Sequence, residues 1–208
     1  ITTTQRVINT IKPTIMWAYL KGFNMLDNAI ISEFVLNDNI PQYLNQTWTG
    51  EQITRVVGTQ YFSITFKATM NKQFRAEIAN FYAQYAQGKP FDMSLGWWGK
   101  YTGNQNAGVQ TTAARTAGAT SIAVNSNSLE VGSIIQFNGH KKLYRVIANS
   151  GTTMTIFPGL IKNIQLGEVI KYDNLSGSFV LTPQNAVYSF PSTNLIEVTI
   201  QATESIRG

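Results

Sequence analysis

Cysteine is absent from this 208-residue chain, which removes disulfides, thiolate metal sites and cysteine nucleophiles together. The absence does not place the compartment, because a chain of this length can bury a core that stands without covalent staples. Histidine occurs once, as His140. One imidazole makes no zinc site without other ligands, and no carboxylate cluster lies near it in sequence. A Ser-His-Asp triad would have to use His140, yet no Gly-x-Ser-x-Gly turn is present to seat a nucleophile. Following Asn138-Gly139, His140 reads as an exposed turn histidine. The eleven acidic residues are spread thinly, with no Asp-x-Asp or Glu-x-Glu pair to suggest paired-carboxylate catalysis. No apolar run approaches the ~20 residues that a membrane helix needs. The opening carries no signal-peptide pattern.

Charge is also scarce. Charged residues make up 13% of the chain, against about 25% in typical domains, and Thr, Asn, Gln and Ser fill their place. Neutral polar surface is covered by a partner at lower desolvation cost than charged surface, so the shortage suits a subunit with many neighbours. The net charge of +5 is scattered, and Lys141-Lys142 is the only adjacent basic pair. A nucleic-acid reader concentrates such charge on one face or helix, a pattern the linear order lacks. Gly99 to Gly108 has glycines but no Lys-Ser/Thr and no strand-to-helix setting, so it is no phosphate loop.

What is present is β-structure with an interruption. Gln5 to Ile11 is short and β-prone, and Pro13 bars a continuous central strand. Trp17 to Gly50 is punctuated by Asn24, Asn28, Asn37, Asn39, Pro41 and Asn45, and reads as irregular, either a loop ordered by a partner or a mixture of short strands and turns. Arg55 to Val57 begins the next strand or its partner, with Gly58 as a bend. In Gln60 to Thr69, Phe62, Ile64, Phe66 and Ala68 alternate with polar neighbours, the period of a half-buried strand. Asn71 to Gln87 is a helix. Asn71 suits the N-cap, Phe74, Ile78, Phe81, Tyr82 and Tyr85 form one apolar stripe, and Gly88 and Pro90 end it. Its stripe is expected to cover the sheet containing Phe62, Ile64 and Phe66.

Gly99 to Gly108 then reads as a linker. Short strands follow near Ser121–Val124, Ser133–Phe137, Lys142–Ile147, Thr153–Phe157 and Glu168–Tyr172, a rhythm that suggests a small barrel or sandwich. The main fold resumes with Ser178 to Thr182 and with Leu195 to Thr203, the latter expected beside Tyr61–Ala68. The expected organisation is therefore a discontinuous main domain, residues 1–108 and 173–208, carrying an inserted β-domain at residues 109–172. Trp97-Trp98 reads as core on one side and subunit contact on the other, with stacking on a sugar or base as the alternative.

The order of these pieces resembles the distal-tail or minor tail proteins of the tail tip and baseplate hub of tailed bacteriophages. Three stretches carry the likeness. They are Gly58-Thr59-Gln60-Tyr61-Phe62-Ser63-Ile64-Thr65-Phe66 leading into the helix; Ala117-Gly118-Ala119-Thr120-Ser121-Ile122 with Gly132-Ser133-Ile134-Ile135-Gln136-Phe137; and Leu143-Tyr144-Arg145-Val146 with Ile156-Phe157-Pro158-Gly159-Leu160. The resemblance implies a mainly β, tail-tube-like sandwich with one packing α-helix and a small inserted β-barrel or sandwich. It implies no enzyme, no catalytic residue, no cofactor and no metal. It implies a homo-oligomeric ring, commonly a hexamer, that joins the tail tube to the hub. DNA would pass non-specifically through its lumen, other tail proteins (tube, hub, wedge or sheath components) would be its partners, and no part would insert in a membrane. The setting is the virion tail, assembled in the host cytoplasm. Ring subunits pair two different surfaces, and Trp17, Tyr19, Phe23, Tyr43, Trp48, Trp97 and Trp98 are the candidate interface residues. The alternative function is a carbohydrate-binding module of a phage tail that holds host surface glycan with Trp97, Trp98 or Tyr101.

Overall fold

The computed structural model describes residues 26–182, 188–192 and 194–206. The expected strand at Gln5–Ile11 and the interface candidates Trp17, Tyr19 and Phe23 lie outside the described residues.

Among the described residues the chain is mainly β, with several sheets and one α-helix. In chain order the strands are β1 (Ile30–Asn39), β2 (Gln42–Gln46), β3 (Gln52–Val56), β4 (Tyr61–Asn71), β5 (Phe91–Ser94), β6 (Val109–Gln110) and β7 (Ser121–Ala123). They continue as β8 (Ile134–Phe137), β9 (Tyr144–Asn149), β10 (Thr153–Phe157), β11 (Val169–Lys171), β12 (Ser176–Leu181), β13 (Tyr188–Ser192) and β14 (Leu195–Glu204). The helix α1 spans Arg75–Tyr85.

The main sheet is antiparallel in the order β1-β4-β14-β12-β5, with β13 added on β14. As the alternation requires, Phe62, Ile64, Phe66, Ala68 and Met70 of β4 are buried while the residues between them are not. The last strand lies where its pattern puts it: β14 pairs with β4 from Leu195↔Asn71 to Thr203↔Ser63 without a register break, burying Ile196, Val198, Ile200 and Ala202 on the same face. The helix covers this face. Asn71 Oδ1 accepts from the Gln73 N–H at 3.1 Å, so the cap is where the sequence places it. The first turn, Lys72–Phe74, is a tighter 3-10 turn, and α-geometry begins only at Arg75. Ile78, Phe81 and Tyr85 are buried, and Phe81 meets Phe91 edge-on at 5.3 Å. Each such ring contributes about 1.5–3 kcal/mol by leaving water.

The segment expected to be irregular contains a ten-residue strand. β1 pairs with β4, but its register slips between Ser32 and Val35, where Glu33 takes a left-handed φ of 51°. This bulge puts Ile31, Phe34 and Leu36 on the core side. The extra residue destroys the period of two, which is why the strand is hard to read from sequence. Arg55 and Val56 likewise belong not to β4 or a partner of it but to β3, which pairs only with β2 among the described residues.

The second six-stranded sheet runs β6-β11-β8-β9-β10-β7. A bridge between Thr111 and Val124, with Thr112 N–H to Ala123 O at 2.9 Å and Asn125 N–H to Gln110 O at 3.0 Å, brings its two edges together. The result is a small barrel-like unit with its own core of Ile122, Ile135, Phe137, Val146, Met154 and Ile156, all 0% exposed. It leaves the main sheet after β5 and returns before β12, and these two strands are neighbours, with Ser94 opposite Ser176. At this crossing a Cβ on Gly99 would stand 2.7 Å from Leu175 O, so only glycine fits. The expected linker is pinned rather than loose: Gln105 is buried, donates to Ala107 O and accepts from the Ser128 N–H, both at 2.7 Å.

Candidate functional site

Two surface features and one buried cluster stand out. The first feature is the β2–β3 hairpin. Its five residue pairs run from Gln42↔Val56 to Gln46↔Gln52, and its turn is closed by Thr47 N–H to Glu51 O at 2.8 Å. Gly50, with φ of +87°, allows the chain to reverse. Every residue of both strands is exposed. Tyr43, Leu44, Ile53 and Val56 are each more than half exposed, and Trp48 at the tip is 98% exposed. Directly opposed residues share a face, so Leu44 and Val56 lie on one side and Tyr43 and Ile53 on the other. An isolated two-stranded hairpin is marginal in water, and one with apolar groups on both faces has surface to lose to a partner.

The second feature is a cleft of about 580 Å³ between the main sheet and the inserted unit. Trp98, Tyr101, Tyr172, Asp38, Glu130 and Arg145 are among the residues that line it. Tyr101 and Tyr172 meet edge-on at 5.2 Å, and Arg145 pairs with Asp38 at 3.1 Å. Burial and the neighbouring Glu130 raise the Tyr101 phenol above its ordinary value, so it stays protonated. Trp97 and Trp98 are 70% and 62% exposed, so the pair is not core on either side; both indoles sit on a short 3-10 turn, Gly96–Gly99, after β5.

The buried cluster lies where the two sheets meet. Lys142, the second half of the adjacent basic pair, is fully buried. Its Nζ donates to Glu204 Oε2 at 2.6 Å and to Gln60 Oε1 at 3.0 Å, and stands 5.1 Å from the centre of the Phe62 ring. Glu204 also accepts from the backbone N–H groups of Leu143 at 2.7 Å and Phe62 at 3.0 Å. Burial pushes the Lys142 amine below the ordinary lysine value, while Glu204 pulls the other way. Its neighbour Lys141 is exposed and pairs with Asp92 at 3.0 Å. No local pattern separates the two lysines, since Lys142, Leu143 and Tyr144 are buried in succession, whereas Glu204 closes the alternating buried row of β14.

His140 is not the exposed turn residue its sequence suggests. It is 4% exposed, with its ring against Phe137 and Tyr144 and its Nδ1 2.7 Å from Tyr144 Oη. That hydroxyl also accepts from the Ile161 N–H, which fixes the phenol beside the imidazole. Burial lowers the histidine pKa, with Glu168 opposing. The turn folds back over the barrel end, since the His140 N–H bonds to Phe137 O, and so carries the ring inward.

Of the interface candidates the structure describes, Tyr43 and Trp48 share the hairpin, Trp98 borders the cleft, and Trp97 is exposed beside it. Sequence reasoning missed Leu44, Ile53 and Val56; two short β-prone runs flanking Thr47-Trp48-Thr49-Gly50 were the available signal. Among the described residues no three of His, Asp and Glu are placed to hold a metal, and no helix is long and apolar enough to cross a membrane. No protein-family model matches the chain, and no curated protein is significantly similar to it.

Proposed function

We propose that this chain is a structural subunit of the tail tip or baseplate hub of a tailed bacteriophage. In this reading it forms a ring, commonly hexameric in such proteins, that joins the tail tube to the hub and encloses the channel for DNA. The observation that carries the reading is the β2–β3 hairpin, an arm exposed on both faces whose apolar residues have no partner within the described chain. In a ring such an arm meets a different surface on the next copy, as heterologous pairing demands. The low charge supports the same reading, because the surfaces to be covered are mostly neutral. The inserted barrel would then sit at the periphery, facing wedge, fibre or sheath components. Light scattering across protein concentration, followed by negative-stain imaging, tests this. Growth toward closed rings is expected, and the images give the symmetry. A strict monomer at every concentration would count against the ring.

The cleft favours a second reading, carbohydrate binding. An exposed indole on Trp98, phenols on Tyr101 and Tyr172, and the Asp38–Arg145 pair offer a stacking surface beside hydrogen-bonding groups, the combination a sugar ring uses. Glycan screening with Trp98→Ala as control tests it. Binding lost in the variant is the expected result, and no binding by the wild-type chain would remove this reading.

A further inference from the structure

A primary amine, a carboxamide and a carboxylate, all removed from water, meet at the junction of the two sheets. Lys142, Gln60 and Glu204 are 0%, 2% and 6% exposed. Lys142 Nζ lies 3.0 Å from Gln60 Oε1 and 2.6 Å from Glu204 Oε2. The Gln60 amide is oriented from its other end: Nε2 donates to Asp38 Oδ1 at 2.5 Å, so the carbonyl faces the lysine. Asp38 is in turn held by Arg145.

We propose that this cluster forms an intramolecular isopeptide bond between Lys142 and Gln60, with Glu204 carrying the protons. Oε1 and Cδ are bonded neighbours, so an amine in hydrogen-bond contact with the oxygen is also held close to the carbon. Held reactants of this kind gain the rate advantage of an intramolecular reaction. Glu204 takes a proton from the Lys142 ammonium, and the resulting neutral pair suits a site without water. The amine lone pair forms the Nζ–Cδ bond, and the carbonyl electrons move onto Oε1. They return as the Cδ–Nε2 bond breaks, and a second proton from Nζ passes by way of Glu204 to the departing nitrogen. One ammonium, one amide and one carboxylate become a secondary amide, one ammonia and one carboxylic acid. No oxidant, cofactor or outside reactant is needed. The lowered lysine pKa supports the first step by favouring the neutral amine.

The partners are 82 residues apart in sequence, one preceding β4 and the other preceding β9. The bond would tie the inserted unit covalently to the main sheet and constrain a long loop of the unfolded chain. A subunit under mechanical load would keep both parts in place even when the non-covalent contacts between them open.

The test is mass spectrometry of the purified full chain. The intact denatured mass is expected to fall short of the sequence mass by one ammonia. A tryptic map is expected to show no cleavage after Lys142 and one joined species carrying Gln60 and Lys142. Mapping is essential because Asn138-Gly139 can also lose ammonia by forming a succinimide, which would leave Gln60 and Lys142 in separate peptides. Lys142→Arg and Glu204→Gln are each expected to abolish the joined species. Separate, unmodified Gln60 and Lys142 peptides from the folded wild-type protein would overturn the proposal, and that result needs no variant to be interpretable.

Discussion

The inserted barrel and the β2–β3 hairpin both branch from the main sheet, and both are short antiparallel strands of similar residues. The barrel curls until its edges meet at Thr111 and Val124, and its inward side chains are buried. The hairpin has no third strand among the described residues and cannot curl, so Tyr43, Leu44, Ile53 and Val56 stay in water. Closure, rather than residue type, separates the unit that buries its own apolar side chains from the one that leaves them in water. That difference gives the barrel a buried core of its own and leaves the hairpin's apolar residues exposed.

Breaking the barrel should cost most. Phe137 is fully buried, edge-on to Tyr144 at 5.4 Å. Phe137→Ala is expected to lose about 3–5 kcal/mol in denaturant unfolding, from lost transfer energy and the cavity left behind. A loss below about 1 kcal/mol would mean that the barrel interior collapses around small side chains and is not a fixed core.

The junction should be nearly as sensitive, for an electrostatic reason. Measured against wild-type chain in which Gln60 and Lys142 are still unjoined, Lys142→Met leaves the Glu204 carboxylate buried without its cation, an expected loss of about 3–5 kcal/mol. Adding Glu204→Gln removes the orphaned charge while an amide oxygen still accepts from Leu143 or Phe62, and should recover part of the loss. No recovery in the double variant would show that packing of the lysine stem, not charge, dominates.

A smaller effect separates the barrel from the rest by pH. The His140 pKa is lowered in the folded protein, so the unfolded chain takes up the proton first. The folded state therefore binds fewer protons in that window, and stability falls as pH drops below about 6.5, levelling off beneath the folded pKa. Unfolding midpoints measured between about pH 7.5 and about pH 5.5 should show this decline, and His140→Gln should flatten it. Equal slopes in both proteins would place the titration elsewhere.

Legibility followed regularity. β4, β14, the capped helix and five of the six strands of the barrel were readable because alternation, an Asn cap and Asn-Gly or Ser-Gly turns are local signals, while the two-residue β6 is too short to carry one. β1 was not, because the bulge at Glu33 shifts the phase of its apolar residues. The burial of His140 and Lys142 was also hidden: each follows a turn that looks exposed, and only the return of the chain over the barrel end or onto β14 carries it inward. Aromatic residues at the surface were found as candidates, but their aliphatic companions on the hairpin were not, since a single Leu or Val in a polar run is unremarked until pairing aligns it.

The least stability change should come with the most informative change in behaviour. Tyr43→Ser with Trp48→Ser alters two side chains that are 66% and 98% exposed, so unfolding should move by no more than about 0.5 kcal/mol. If the hairpin is a connector, the same double variant should lose concentration-dependent assembly, because exposed aromatics that are buried on association dominate binding energy. The two readouts must be taken on one preparation. Stability retained with assembly lost assigns the apolar arm to a neighbour. Loss of both would mean that the hairpin packs on its own chain, and that the contrast with the barrel is one of degree. Assembly retained would move the contact surface to Trp97 and Trp98 at the cleft, where Trp98→Ala should weaken it in turn.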